Sequence, residues 1–271
     1  MNQAQPYVPY CGTPPVPSEI WLRWNWDPLL LSALLLLLYV YFRRSYLRGS
    51  APWGARPATP GERSRFVQGW FALALGLISP LCNLSVALFS ARVSQHMWLV
   101  LIAAPLLALG GVLRSFTGGR SAKFVEALSR PFAATILFAA TLWLWHLPRT
   151  YQATFESDLV YWLMHITLTG SAILLWQTLL LGDSGRFVGR LFAAFATLLQ
   201  MGLLGALLTF APRALYPAHW LTSQAWGLTP LEDQQLGGLI MWVPGGVALT
   251  ILVLWMVMKI LQQGSATTVH K

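Results

Sequence analysis

Residues 28–42 read PLLLSALLLLLYVYF and end directly before the basic pair Arg43 and Arg44. This run has no charged side chain, and a tryptophan-rich stretch at residues 20–26 extends it towards the N-terminus. The hydrocarbon core of a bilayer is about 30 Å thick, so an α-helix of about 20 mostly apolar residues crosses it with its backbone groups paired. The run therefore predicts a helix that spans a membrane.

The rest of the chain has the same apolar character. Of its 271 residues, 56% are hydrophobic and only 10% are charged, whereas a soluble domain carries about 25% charged residues. A formal net charge of +9 would suit a protein that binds nucleic acid. However, the basic residues lie between apolar runs and form no stripe with interleaved aromatic residues. We therefore exclude a water-soluble fold and a nucleic-acid partner, and we predict that the lipid bilayer surrounds the chain.

Apolar runs of spanning length recur along the sequence, with no internal repeat and no separate soluble domain. We predict an all-α, polytopic bundle of about seven transmembrane helices, near residues 28–42, 66–89, 96–113, 131–147, 159–181, 187–210 and 236–261.

The basic residues predict the orientation, because lysine and arginine are enriched in cytoplasmic connections. Most of them fall after the odd-numbered spans, namely Arg43, Arg44, Arg48, Arg56, Arg63, Arg65, Arg114, Arg120, Lys123, Arg130, Arg186, Arg190, Lys259 and Lys271. The opposite side holds Arg23, Arg92, Arg149 and Arg213. We therefore expect the N-terminus outside and the C-terminus in the cytoplasm.

This orientation divides the chain into three parts. Residues 1–27 form a periplasmic N-terminal segment, residues 28–261 the seven-helix domain, and residues 262–271 a cytoplasmic tail. Residues 1–19 have neither a basic n-region nor an apolar h-region, so we expect no cleaved signal peptide and insertion directed by the first helix.

Local signals mark several helix ends. Asp27 before Pro28 predicts an N-cap with proline at the first helical position. Thr229, Pro230 and Glu232 predict a capping box at the start of the last helix. Within spans, Pro80, Pro105 and Pro244 predict kinks or breaks, the last together with Gly245 and Gly246. We expect an aromatic belt at the outer interface, formed by Trp24, Trp26, Trp143, Trp145, Trp162, Trp220 and Trp226.

The histidines are placed unevenly in this topology. We predict that His96 lies at the outer start of span three and His146 at the outer end of span four. His165 is predicted to lie about two turns into span five. His219 falls in the last outer loop, and His270 lies in the tail. Since imidazole is the commonest metal ligand and ionisable groups within membranes are usually functional, His96, His146 and His165 are the candidate metal ligands.

Soft donors stand near these histidines. Met97 follows His96, Met164 precedes His165, and Met241 lies two turns below Asp233 on the last helix. Thioether and imidazole together favour Cu(I). Asp233 suits two roles. It is either a carboxylate at a helix start, which the helix dipole stabilises, or the acceptor of a hydrogen bond from a metal-binding imidazole. Each residue alone also fits ordinary packing or an interfacial position.

The two cysteines are too few for a disulfide framework, and they are too far apart in the chain for a Cys-x-x-Cys motif. Cys82 lies in the outer half of span two and is a soft donor in principle, but we interpret it as a packed small hydrophobe. We interpret Cys11 as a free surface thiol.

At the same residues the chain resembles the CtaG-type cytochrome c oxidase assembly factors, named for caa-type oxidases. The matching segments span the first to the last helix: Trp26-Asp27-Pro28, Ser94-Gln95-His96-Met97, Ala104-Pro105-Leu106-Leu107 with Gly110, Trp145-His146-Leu147-Pro148 with Tyr151, Met164-His165 with Trp176, Asp233-Gln234-Gln235-Leu236-Gly237-Gly238, and Met241-Trp242-Val243-Pro244-Gly245. In the family pattern a second histidine stands four residues before the one matched by His96, where this chain has Arg92.

The resemblance implies a bacterial inner-membrane protein needed to mature a haem–copper oxidase at its copper-acquisition step, and not an enzyme. It implies haem–copper oxidase subunits as partners and periplasmic copper proteins as donors. Combined with the residue pattern, it makes His96, His146, His165, Met97, Met164 and Met241 candidate Cu(I) ligands, with Asp233 and Gln95 supporting them.

Two other functions stay open at this point. Two of the same histidines would also suit the axial positions of a membrane haem. Kinked helices also occur in copper or small-solute transporters, where broken helices line a pathway. Against transport, few polar residues beyond Ser79 and Asn83 continue the histidine cluster towards the cytoplasm.

Overall fold

The computed structural model describes residues 7–47, 57–117 and 120–268. The described residues are 80% helical and include no β-strand. The helices are α1 (Pro28–Leu47), α2 (Pro60–Ile78), α3 (Pro80–Ala87), α4 (Phe89–Trp98), α5 (Ala104–Leu109), α6 (Val112–Phe116), α7 (Arg120–Leu128), α8 (Pro131–His146), α9 (Pro148–Ala153), α10 (Asp158–Leu181), α11 (Phe187–Thr209) and α12 (Pro230–Thr268). Arg48, Arg56, His270 and Lys271, which entered the sequence analysis, lie outside the described residues.

In the part of the chain that the structure describes, five helical segments are long and apolar enough to cross a membrane, namely Pro28–Ser45, Phe89–Leu109, Asp158–Leu181, Phe187–Thr209 and Pro230–Lys259. Two bent pairs also qualify if each counts as one span: α2 with α3, bent by 45°, and α7 with α8, bent by 79°. The all-α membrane bundle is therefore confirmed, with five to seven spans.

The second predicted span is broken where the sequence suggested a kink. Ser79 adopts an extended conformation, with ψ at 167°, because the residue before a proline is sterically excluded from the helical region. Pro80 then begins α3. The other two prolines disturb their helices less. Pro105 follows a π-helical turn at Leu99–Ala103, and α12 stays helical through Pro244.

The predicted start of the third span at His96 is wrong, because α4 begins at Phe89. The residues between Phe89 and His96 fell between two predicted spans, but they form the first turns of α4, and most of them are buried. Arg92 accordingly lies inside α4. Arg190 lies in α11, within the predicted sixth span, and donates to the carbonyls of Leu179 (2.5 Å) and Gly182 (2.8 Å).

Both predicted helix caps are confirmed. Asp27 Oδ1 accepts a hydrogen bond from the amide of Leu29 at 2.6 Å. At the start of α12, the Thr229 amide donates to Glu232 Oε2 (2.8 Å), and the Glu232 amide donates back to Thr229 Oγ1 (3.3 Å).

Helix α4 contacts α3 and α12, while α10 packs against α5 and α8. Among the described residues, the most extensive helix–helix contact is between α11 and α12. A Cβ on Gly238 would lie 2.8 Å from the carbonyl oxygen of Gly205, so these two glycines let the backbones meet directly.

The N-terminal segment covers one end of this bundle. The ring of Tyr10 stacks on Tyr161 of α10 with centroids 4.8 Å apart. Further along, the indole of Trp226 donates to the carbonyl of Pro15 (3.1 Å). Among the tryptophans of the expected belt, Trp145 is instead buried, and its indole donates to Thr167 Oγ1 (2.9 Å).

Candidate functional site

Three of the sequence-predicted histidines meet at the end of the bundle that the N-terminal segment covers. His96 comes from α4, His146 from the last residue of α8 and His165 from the second turn of α10. The His96 ring lies 6.1 Å from His146 and 5.6 Å from His165, centroid to centroid. All three are buried, with 1%, 5% and 4% of their surface exposed. We call these residues the histidine cluster.

Hydrogen bonds determine which nitrogen carries the proton in two of the rings. Nδ1 of His146 lies 2.7 Å from the carbonyl oxygen of Leu142, and Nδ1 of His165 lies 3.1 Å from that of Tyr161. A carbonyl only accepts, so Nδ1 is the protonated nitrogen and Nε2 keeps its lone pair in both rings. This is the arrangement in which metal-binding histidines are usually held.

Three ring nitrogens of the cluster are buried without a hydrogen-bond partner: Nδ1 and Nε2 of His96, and Nε2 of His165. A buried polar atom without a partner is uncommon, because leaving it unpaired is energetically unfavourable. The cluster therefore has free donor atoms in a buried setting.

The spacing of the rings suits one shared ion, although their present orientation does not. A metal–nitrogen bond of about 2.0 Å and the size of the ring place two rings on one ion roughly 5 to 6 Å apart, centroid to centroid. Within residues 7–47, 57–117 and 120–268, however, no group of three or more His, Cys, Asp or Glu side chains is positioned to hold a metal. The imidazoles would have to turn to share an ion.

The methionines proposed from the sequence are buried in the same core. Met97, Met164 and Met241 are at most 5% exposed. Met97 faces α12, since its sulfur would lie 4.0 Å from a Cβ on Gly245. That these thioethers bind a metal stays a prediction.

The two supporting residues bind to backbone at the ends of neighbouring helices. Asp233 accepts hydrogen bonds from the amides of Phe89 (2.7 Å) and Ser90 (3.0 Å) and from Ser90 Oγ (2.5 Å). Gln95 donates to the carbonyl of Gly76 in α2 at 2.8 Å. Asp233 lies in the first turn of its own helix, α12, which confirms the helix-start alternative considered from the sequence. It also caps α4, the helix that carries His96.

Arg92 lies one turn before His96 on α4, and its burial was not predicted from the sequence. Only 1% of it is exposed, and Nη1 donates to Thr154 Oγ1 at 2.5 Å. Its guanidinium carbon lies 4.0 Å from the ring centroid of Phe155 and 5.1 Å from that of Tyr151, within cation–π range. No carboxylate pairs with it in the described part of the chain. A positive charge without an acidic partner thus lies beside the histidine cluster.

The interpretation of the cysteines is wrong, because Cys11 and Cys82 form a disulfide with their Cα atoms 5.6 Å apart. They are 71 residues apart in sequence, and only the folded bundle brings the N-terminal segment onto α3. The hydroxyl of Tyr161 lies 3.2 Å from Cys11 Sγ and 3.6 Å from Cys82 Sγ. The disulfide therefore lies one side chain away from His165.

His219 belongs to a separate aromatic group. Its Nε2 lies 2.6 Å from the hydroxyl of Tyr151, and its ring packs against Phe155 with centroids 5.4 Å apart. Burial, together with the charge of Arg92, lowers the pKa of this imidazole from 6.5 to about 3. His219 is therefore neutral near pH 7.

Comparison with known proteins gives one match. The family model described as cytochrome c oxidase caa3 assembly factor matches residues 33–263, which include the whole histidine cluster. No curated protein and no solved structure matches the chain. Because the family model covers well over half of the sequence, the chain belongs to the Caa3_CtaG family of cytochrome c oxidase caa3 assembly factors.

Proposed function

We propose that this assembly factor binds Cu(I) on His96, His146 and His165 and passes it to a subunit of the nascent haem–copper oxidase. Copper is the cargo in this proposal, and the protein carries out no turnover chemistry of its own. Family membership supports the role in oxidase assembly, whereas the case for copper rests on the residues of this chain.

The observation that carries the proposal is the state of the ring nitrogens. In His146 and His165 the Nδ1 proton is bound to a backbone carbonyl, so Nε2 has its lone pair available. Both nitrogens of His96 lack a partner although the ring is buried between the other two. The His96 ring already lies 6.1 and 5.6 Å from the other two rings, so a turn of the imidazoles would direct their lone pairs at one ion.

The surroundings favour a monovalent, soft ion. Arg92 places an unpaired positive charge one helical turn from His96, and its repulsion of a divalent ion is twice that of a monovalent one. Imidazole and thioether donors also suit Cu(I) better than hard cations. Met97 and Met164, each next to a cluster histidine in sequence, and Met241 on α12 are the thioethers available.

We further propose that the cluster faces the periplasm of a bacterial inner membrane, with the N-terminus outside. The basic residues predict this orientation. The disulfide between Cys11 and Cys82 supports it independently, because disulfides persist in oxidising compartments such as the periplasm. Periplasmic copper donors and oxidase subunits would then meet the protein at the end where the cluster lies.

The test measures Cu(I) binding to purified protein in detergent, with ascorbate as the reductant and a colorimetric Cu(I) chelator as the competitor. We compare the unaltered protein with His96→Gln and His165→Gln. The matched control is His219→Gln, which alters a histidine that is equally buried but bound to Tyr151 outside the cluster. Oxidase activity in a deletion strain complemented with each variant gives the functional readout.

We expect the unaltered protein and the control to retain copper, and each cluster variant to lose at least about tenfold in affinity. Both cluster variants should also lower oxidase activity. Copper at background level in the unaltered protein, or equal losses in the control, would contradict the proposal. A Soret band in the purified protein would indicate a haem protein, and copper accumulation in proteoliposomes would indicate a transporter.

A further inference from the structure

A second site candidate lies in a groove between α8 and α11. The groove encloses about 780 Å³. Its walls are apolar and exposed on the outer surface of the bundle, and they include Phe132, Ile136, Phe192, Phe195 and Leu199. The small residues Gly189, Ala193 and Ala196 also line it. The groove is therefore a recess in the surface that faces lipid.

Two arginines lie at one end of this groove. Arg130 directly precedes α8 and Arg186 directly precedes α11, and both side chains are exposed and line the groove. Neither side chain caps its helix, so both guanidinium groups are available to a ligand. The groove thus combines an apolar trough with two positive charges at its mouth.

This combination matches one class of molecule, and we infer that the groove binds an anionic phospholipid. A phosphate accepts paired hydrogen bonds from guanidinium groups, and basic residues at the ends of transmembrane helices bind acidic headgroups. From Phe187 to Leu199 the α11 wall rises about 18 Å at 1.5 Å per residue, and one leaflet of the hydrocarbon core is about 15 Å deep. The headgroup lies on the arginines and an acyl chain fills the trough.

The lipid site is distinct from the copper site proposed above and goes beyond it. Helix α8 begins at the groove with Pro131 and ends in the histidine cluster with His146, about 22 Å away at 1.5 Å per residue. The basic residues assign the groove to the cytoplasmic leaflet. Binding of lipid therefore does not depend on whether the histidines hold a metal.

Native mass spectrometry of the purified full chain tests the inference. The protein in mild detergent is mixed with phosphatidylglycerol, cardiolipin or phosphatidylcholine, and the lipid retained on each chain is measured. Arg130→Gln/Arg186→Gln removes the two charges at the groove. Arg149→Gln/Arg213→Gln is the matched control, since it removes two exposed arginines outside the groove. Ala196→Trp keeps all charges but fills the trough.

We expect the unaltered protein and the control to retain the anionic lipids in preference to phosphatidylcholine. The groove double variant should lose this preference, by roughly fivefold for each arginine, and Ala196→Trp should retain less lipid of every class. Equal retention of all three lipids by the unaltered protein would overturn the inference. So would an unchanged preference in the groove double variant, an equal loss in the control, unchanged retention in Ala196→Trp, or a second protein chain bound in place of lipid.

Discussion

Tyr161 and His165 lie one turn apart on α10, and their rings pack with centroids 4.3 Å apart. The hydroxyl of Tyr161 contacts the disulfide, and its carbonyl binds Nδ1 of His165. One residue therefore joins the covalent link of the N-terminal segment to the proposed copper ligands. Because of this connection, we expect that breaking the disulfide also alters the arrangement of the histidine cluster.

The first prediction concerns the disulfide. Cys11→Ser/Cys82→Ser is expected to lower the free energy of unfolding by up to about 4 kcal/mol, because the bond closes a long loop in the unfolded chain. Thermal unfolding in detergent, with and without dithiothreitol, measures this. The unaltered protein should be destabilised by the reductant and the double variant should be insensitive to it. A thiol reagent that modifies the unaltered protein fully without reductant would show that the bond is not formed.

The second prediction concerns the cap on α4. Asp233→Ala leaves the amides of Phe89 and Ser90 without their acceptor, and we expect a loss of about 1 to 3 kcal/mol in unfolding free energy. Asp233→Asn should lose less, since an amide oxygen still accepts. Glu232→Ala is the neighbouring control and should have a smaller effect, because Glu232 caps α12 from an exposed position. Equal effects of all three variants in thermal unfolding would contradict this role.

The third prediction concerns Arg92. Arg92→His removes the positive charge beside His96 and adds an imidazole one turn away. We therefore expect the affinity for Cu(I) to rise about tenfold, since the removed repulsion amounts to roughly 1 to 2 kcal/mol at an effective dielectric constant of about 20. Competition with a Cu(I) chelator measures the change. Arg92→Gln removes the charge without adding a ligand and should give a smaller gain. An affinity that stays unchanged or falls in both folded variants would contradict the electrostatic argument.

The fourth prediction concerns pH. The pKa of His219 is about 3 in the folded protein and 6.5 in the reference state, so the unfolded chain binds more protons between these values. Its contribution to stability is complete above pH 6.5 and is lost as the pH falls towards 3. At pH 5 the expected loss relative to pH 7 is about 2 kcal/mol. His219→Gln should lose correspondingly less stability over this interval, as measured by thermal unfolding at both pH values. Parallel pH curves for the two proteins would contradict the assignment.

Much of the fold could be predicted from local pattern. The long apolar runs of α1, α10, α11 and α12 are hydrophobic enough to be recognised without tertiary information, and Asp27 and Thr229 mark helix starts by their own side chains. The start of α4 could not be found in this way. Its first turns are polar, and the residue that caps them, Asp233, comes from the other end of the chain.

The candidate site was predictable in composition and unpredictable in geometry. The sequence singled out His96, His146 and His165 because imidazoles are rare and costly in apolar spans. It did not reveal the disulfide, since the spacing of Cys11 and Cys82 matches no local motif. It also did not reveal the burial of Arg92, because a buried guanidinium held by aromatic rings and one threonine is a property of packing.

By itself, the sequence determined that this protein is a helical membrane bundle, because the hydrophobicity of each long run is a local quantity that a bilayer acts on directly. It also determined the family and the residue types available for chemistry. Only the tertiary structure decided which of those residues meet, which ring nitrogens are left without partners, and which cysteines bond. Those properties arise from contacts between segments far apart in the chain, and no local pattern of residues encodes their distances.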